Sequence, residues 1–391
     1  MIRSALLLCA GLLAALCFAC VAVAPPPPPP PPVALPTFVP LTKEGHPAPA
    51  TTCNSDLFIS NVQLVPNGYD PSGHPGDPPL PQIGTPINPN SAYAQNLRNA
   101  FQLAPTSVKT QLCSLTAVYV NGPATCNSLA SCASSSWGYR AFKADATYVA
   151  ISSGLWNLAC PDGSPYVYHC FESDLLANLL GWNTSNPPAP QYAAPSDPSP
   201  DTFDMTILAV LAHELGHVYW YEVMNPDNPG NDYDPNKFCV TSPKNTFFTN
   251  SWKTPVKKPY MWHRFAGRDN KNSHLVPPQI TTIDSYIQAA DWTDAAIALD
   301  QLYQPPQAWA SFFGALSPDE DFVETFKLYV LTNAQTPLTS LPINFVSGIT
   351  EDIPKAYGPP DPNNFGAPSN TGKSALAAKA RCIGQSLLSL H

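Results

Sequence analysis

An α+β fold is what this 391-residue sequence predicts: a small mixed sheet, a mostly helical C-terminal half, and disulfides bracing both. Three observations lead there. In the first half, apolar runs closed by turn signals read as strands: Leu115 to Val120 before Asn121-Gly122-Pro123, and Ala146 to Ser152 before Gly154. From about residue 200 onward helical patterning takes over, with acceptable caps at the starts. Eleven cysteines, less Cys9, Cys17 and Cys20 in an apolar N-terminal stretch, leave an even eight: Cys53, Cys113, Cys126, Cys132, Cys160, Cys170, Cys239 and Cys382. An even set in an exported chain implies a disulfide framework.

Export is read from the N-terminus. One arginine, Arg3, precedes an apolar run from Ser4 to Ala24, the pattern of a signal peptide over residues 1–24. The run is also long enough to serve as an uncleaved anchor. Ala22-Val23-Ala24 suits cleavage but is followed by Pro25, whereas Cys17-Phe18-Ala19-Cys20 resembles a degraded lipobox that would end the signal at a lipidated Cys20. A secreted or cell-envelope location follows either way, the second with a membrane tether. Residues 25–50, opening on eight prolines, read as an extended polyproline spacer. Residues 51–391 are the folded body. Charged residues make up 12%, net charge is −9 and aromatics reach 10%, which favours a packed core and excludes nucleic acid as the partner.

Along that body, residues 66–90 read as a long irregular region. Ser91 to Leu103 reads as a short helix with Ala92, Leu97, Ala100 and Phe101 on one side, and Phe171 to Leu180 as another. A helix from Thr202 to Glu222, N-capped by Asp201, stops by Asn225-Pro226. Residues 237–271 carry eight basic residues against Asp269, either a solvated face or a basic lip. Further helices are expected at Ser285 to Asp300, at Gln307 to Leu316, from Ser317, and at Ser374 to Leu390. Local loops make Cys126/Cys132 and Cys160/Cys170 the simplest disulfides, and Cys239 is one candidate partner for Cys382.

The helix at 202–222 carries His213-Glu214-Leu215-Gly216-His217, an HExxH. Four residues on a helix bring both imidazoles to one face, where they can share a zinc ion, with Glu214 beside them as general base. An ordinary amphipathic helix with two satisfied histidines is the competing reading. Two histidines need a third ligand. Metzincin spacing would place a histidine at Val223, and no downstream Gly-Thr-x-Asp exists for an aspzincin. Among the downstream glutamates, Glu222 points away on the same helix and Glu351 falls in a proline-rich loop. Glu320 and Glu324 remain, one turn apart on a helix that Ser317 caps and Pro318 opens. Ser317 and Glu320 also make a capping box, which could occupy Glu320 fully. Glu320 as ligand, Glu324 as ligand, and neither all stay open on spacing alone.

Glu320-Asp321-Phe322-Val323-Glu324-Thr325-Phe326, following an HExxH, resembles the EDFAExF segment of lethal-factor-like and related small bacterial zinc peptidases, which are gluzincins. The resemblance covers roughly residues 140–335. It implies a zincin-like fold, one Zn2+ held by His213, His217 and Glu320, Glu214 as general base, and Glu324 as acceptor behind a ligand histidine. It also implies that the strand at 146–152 is the sheet edge to which an extended peptide adds. The separation of 103 positions between His217 and Glu320 implies an insertion, near 225–280.

One position departs. Where the lethal-factor type carries an oxyanion-stabilising tyrosine, seven residues before the ligand glutamate, this chain has Phe313. Tyr303, His263, His274 and Tyr286 are candidates for the donor, which stays unknown. The expected function is an exported zinc metalloendopeptidase acting on peptide or protein substrates. A catalytically inactive or weak binding or surface protein with a structural zinc is the alternative. Sequence leaves the oligomeric state open.

Overall fold

In a computed structural model, the described residues are 53–65, 85–115, 117–121, 136–140, 146–152, 160, 163–164, 167–180, 191–193, 197–220, 247, 278–303, 309–315, 317–344, 350–353 and 375–388. All lie in the unit Val33–His391. The signal segment, the proline run, the basic stretch 237–271 other than Phe247, and the Cys126/Cys132 and Cys239 pairings fall outside them.

Helix α1 (Ser55–Ser60) is capped by Asn54, whose side chain accepts from the amides of Asp56 and Leu57. Strand β1 (Val62–Val65) follows, and β2 (Thr85–Pro86) pairs with it antiparallel, so the region expected to be wholly irregular returns to the sheet. In α2 (Ala92–Leu103), capped by Ser91, the buried face is Ala94, Leu97, Ala100 and Phe101; Ala92 is exposed. Helix α3 (Thr106–Ser114) leads to β3 (Ala117–Asn121), then β4 (Ser136–Arg140) and β5 (Ala146–Ser152). The sheet order is β2-β1-β3-β5-β4, with β1, β3 and β5 parallel and β4 antiparallel. Strand β5 is therefore interior, not the edge that the resemblance implied. Among the described residues the edges are β4 and β2. Val62, Val118 and Val149 stand side by side across the sheet and are fully buried. Residues before 140 thus supply strands to the same sheet and core.

Helix α4 (Val167–Leu180) and strand β6 (Gln191–Tyr192) precede α5 (Phe203–Val218), which carries the histidine motif. Nearly every residue of α5 from Met205 on is buried, as an all-round apolar helix requires. It packs on β4 and β5 and against α2 and α4. Its cap is Thr202, which accepts from Met205 N, rather than Asp201. Asp201 is buried and accepts instead from Tyr168 N, His169 N and the His169 ring, joining the starts of α4 and α5. Asp204, in the first turn, accepts from Asn96 and Asn99 of α2.

The helix expected at 285–300 is two helices, α6 (Pro278–Gln288) and α7 (Trp292–Tyr303). The break is a left-handed Ala290 (φ 57°). Asp291 N bonds to Tyr286 O and Ala290 N to Ile287 O, a Schellman closure without its usual glycine. The described part of 307–316 holds a short 3-10 helix at Phe313–Ala315 and no α-helix. Helix α8 (Pro318–Thr332) starts at the Ser317 cap, as its sequence specifies. Strands β7 (Pro342–Asn344) and β8 (Thr350–Asp352) form a second antiparallel sheet with β6, and α9 (Ala375–Leu388) closes the chain. The result is mixed and mostly helical.

Disulfides join Cys53 to Cys113, a long-range pair that spacing does not suggest, and Cys160 to Cys170, the local pair that it does. Cys382 is also disulfide-bonded, to a partner outside the described residues. Such bonds are consistent with an extracellular protein. Among the described residues no helix is long and apolar enough to cross a membrane.

Helix α9 is fixed to α8 by an ion pair with no exposure at either side chain. Lys379 Nζ lies 2.7 Å from both oxygens of Asp321, with the Trp309 ring 4.6 Å away. Burial pulls the ammonium pKa down, and Asp321 opposes the shift. Lys379→Met removes the counter-charge of the buried Asp321 carboxylate, so unfolding in urea should show a loss of about 3–5 kcal/mol. Lys379→Met combined with Asp321→Leu should recover most of it.

Candidate metal centre

Helix α5 sets His213 and His217 one turn apart, with ring centroids 5.0 Å from each other. Helix α8 crosses α5 between them. The crossing is tight because Gly216 has no side chain: a Cβ there would meet Val323 Cα and Cγ1 at 3.2 Å. Gly314 does the same for the 3-10 turn, where a Cβ would meet Glu324 Cβ at 3.2 Å. These approaches bring the first turn of α8 over the histidines.

The capping box uses the backbone of Glu320 and leaves its side chain available: Glu320 N donates to Ser317 Oγ at 3.4 Å. Its carboxylate reaches across to α5, with Oε1 3.5 Å from His217 Nε2 and Oε2 3.8 Å from His213 Nε2. Those separations are too long for hydrogen bonds. They suit a shared ion, since atoms about 2 Å from one tetrahedral centre lie about 3.3 Å apart. One donor atom from each of His213, His217 and Glu320 falls within 4.8 Å of the others. Glu320 Oε2 is buried and has no hydrogen-bond partner among the described residues. Two imidazoles and a carboxylate with an orphaned oxygen could hold a metal ion.

Electrostatics point the same way. Burial pushes the Glu320 carboxyl well above its ordinary range, and Asp319, Glu324 and Glu214 add to the shift. Burial, and then His213, hold His217 well below its usual pKa, in the neutral form that a metal ligand needs. A cation among these groups would stabilise the charged form of Glu320 and meet His217 as the neutral imidazole it already is.

Glu324 does not face the ion position but accepts from behind it. Its Oε1 lies 2.7 Å from His213 Nδ1, which leaves Nε2 facing Glu320. Burial raises this carboxyl, but Lys327 and His213 more than offset it, so it sits well below the carboxylate range. Glu214 is buried and close enough to Glu320 to affect its charge. Phe313 stacks on the His213 ring at 5.3 Å and 12°. Tyr303 is fully buried, hydrogen-bonded with Tyr192 and the Phe312 backbone, and close enough to Glu172 and Glu324 to feel their charge. Tyr286 packs in α6, Glu351 lies in β8 rather than in a loop, and His263, His274, Glu222 and Val223 fall outside the described residues.

Sequence reasoning misses Lys327 and Glu172, which complete the ionic chain behind Glu324. The signal for Lys327 is its place on the Glu320–Glu324 stripe, as the one basic residue of this helix. Glu172 belongs to another helix and gives none.

Stripped of metal, the chain should take up one divalent ion, measured by mass spectrometry, with thermal stabilisation of about 2.7 kcal/mol at a hundredfold excess over Kd. His217→Ala or Glu320→Ala should abolish that gain. Gly216→Ala adds helix propensity of about 1 kcal/mol but forces the crossing apart, at an overpacking cost of about 1–3 kcal/mol. Chelator competition should show metal affinity falling further than stability, because the ligands straddle the crossing. No protein-family model matches this chain, and no match was found among curated proteins or solved structures.

Proposed function

We propose that this chain is an exported zinc metalloendopeptidase of the gluzincin type. The observation that carries the reading is the pair of Nε2 atoms facing one carboxylate, with Glu324 turning His213 from behind. Zinc is the metal argued for, because two imidazoles and one carboxylate are a familiar catalytic zinc set. When bound, zinc supplies Lewis acidity, activating water near neutral pH and polarising a carbonyl.

The chain's own residues do the rest. His213, His217 and Glu320 fix the site, and Glu214 holds the proton taken from the attacking water until the leaving amine receives it. Among the described residues β4 is one edge of the sheet, the one that packs against α5. An extended peptide adding to that edge would lie alongside the motif helix.

A second reading, a binding or surface protein on the same scaffold with a structural zinc, is favoured by Phe313. Its ring covers His213 but offers no hydroxyl where the resembled peptidases carry one. One experiment separates the two. Glu214→Gln should keep its metal and lose peptide hydrolysis by about 10²–10⁴-fold, followed on a quenched fluorescent peptide library. A wild-type chain that is fully loaded yet inactive supports the second reading.

A further inference from the structure

On α8, Glu320, Glu324 and Lys327 follow one another at spacings of four and three residues, along one face. Both oxygens of Glu324 are engaged: Oε1 by His213 Nδ1 at 2.7 Å, and Oε2 by Lys327 Nζ at 2.9 Å. Ser311 adds a side-chain hydrogen bond to the same carboxylate, and Lys327 is its only cationic neighbour besides the histidine among the described residues. The ammonium is held from outside the helix by Glu172 Oε1 of α4 at 3.0 Å. Glu172 is in turn hydrogen-bonded to Tyr168, one helical turn earlier on α4. The side chains of Glu324, Lys327 and Glu172 are 1%, 8% and 4% exposed.

As a means of holding α4 against α8 this is a poor choice. Buried ion pairs are often no more stabilising than apolar residues of similar volume. What an ammonium does that a leucine does not is fix the rotation of a carboxylate. A carboxylate bonded through one oxygen can swing about its Cγ–Cδ bond. Bonded through both, to partners on opposite sides, it presents Oε1 to His213 in one orientation.

We propose that Lys327, braced by Glu172, is a positioning residue for the metal centre. It locks the Glu324 carboxylate so that His213 donates through Nδ1 and keeps Nε2 turned toward Glu320 and His217. The inference rests on the metal-site reading above and adds a line of support reaching from α4 to the ion. Simple Coulomb attraction predicts the opposite sign for removing Lys327, since a positive charge near a cation site weakens the cation's binding. Loss of affinity therefore reports lost positioning.

The test measures Zn2+ affinity of the metal-stripped full chain by competition with a chromophoric chelator, with thermal unfolding in EDTA as a separate record of the fold. Lys327→Met should bind Zn2+ about tenfold or more weakly, the range seen when groups supporting a ligand histidine are removed. Lys327→Met with Glu172→Gln removes one charge of each sign, leaves the local net charge unchanged, and takes from Glu324 only the partner of its Oε2 while Glu172 no longer needs one. It should show the same loss, and its Co2+ complex an altered visible spectrum. If the single variant does not fold, the double variant gives the result. Unchanged or tighter Zn2+ binding in a folded variant overturns the positioning role, and so does failure of both variants to fold, which would make Lys327 a residue of the fold alone. A wild-type chain that binds no Zn2+ overturns the metal reading itself, a distinguishable outcome.

Discussion

The crossing of α5 and α8 at Gly216 and Val323 is the contact on which the rest depends, because the candidate ligands sit on opposite sides of it. With ordinary side chains at both positions the helix axes would stand farther apart, and a glutamate extended from the first turn of α8 would fall short of the α5 imidazoles. With no side chain at Gly216, the backbone of α5 can approach Val323 so closely that even a methyl group there would come within 3.2 Å of it. That position lies inside the motif, between its histidines. The glycine of His213-Glu214-Leu215-Gly216-His217 is thus as necessary to the geometry as the residues that carry the chemistry.

Helix α8 then distributes its acids so that each meets a different neighbour. Glu320 faces the two Nε2 atoms, Glu324 lies between His213 and Lys327, and Asp321 turns the other way to Lys379 of α9. Three carboxylates within five residues of a buried helix would be prohibitive if they shared one environment. The roughly 100° step per residue sends them to separate partners. Two are answered by lysines from the chain itself, and Glu320 is left with an unsatisfied oxygen. Around it the balance of charge is negative, which is the condition for holding a cation.

Supports for the site come from distant parts of the sequence. Asn96 and Asn99 hold Asp204 at the start of α5, Asp201 ties that start to α4, and Glu172 reaches from α4 to α8. The N-terminal half, with its Cys53–Cys113 bond and the parallel strands β1 and β3, builds the sheet under the motif helix. It is structurally continuous with the site.

By itself the sequence determined the elements whose signals are local. The Ser317-Pro318 start of α8, the β5 run Ala146–Ser152, the Cys160–Cys170 loop and the same-face pair His213 and His217 are all written in neighbouring residues. Spacing also reduced the partners of that pair to Glu320 and Glu324, without choosing between them. The resemblance of the Glu320–Phe326 segment implied Glu320 as ligand and Glu324 behind a histidine. Which ring nitrogen meets which carboxylate was decided by the tertiary structure, because it depends on the closeness of two helices about a hundred residues apart. The tertiary structure also placed β5 inside the sheet, since strand order depends on what β4 pairs with. The break at Ala290 was hidden because a left-handed alanine carries no glycine to announce it. Lys327 and Glu172 became visible as a pair only across 155 positions of chain, where burial rather than sequence proximity brings opposite charges together.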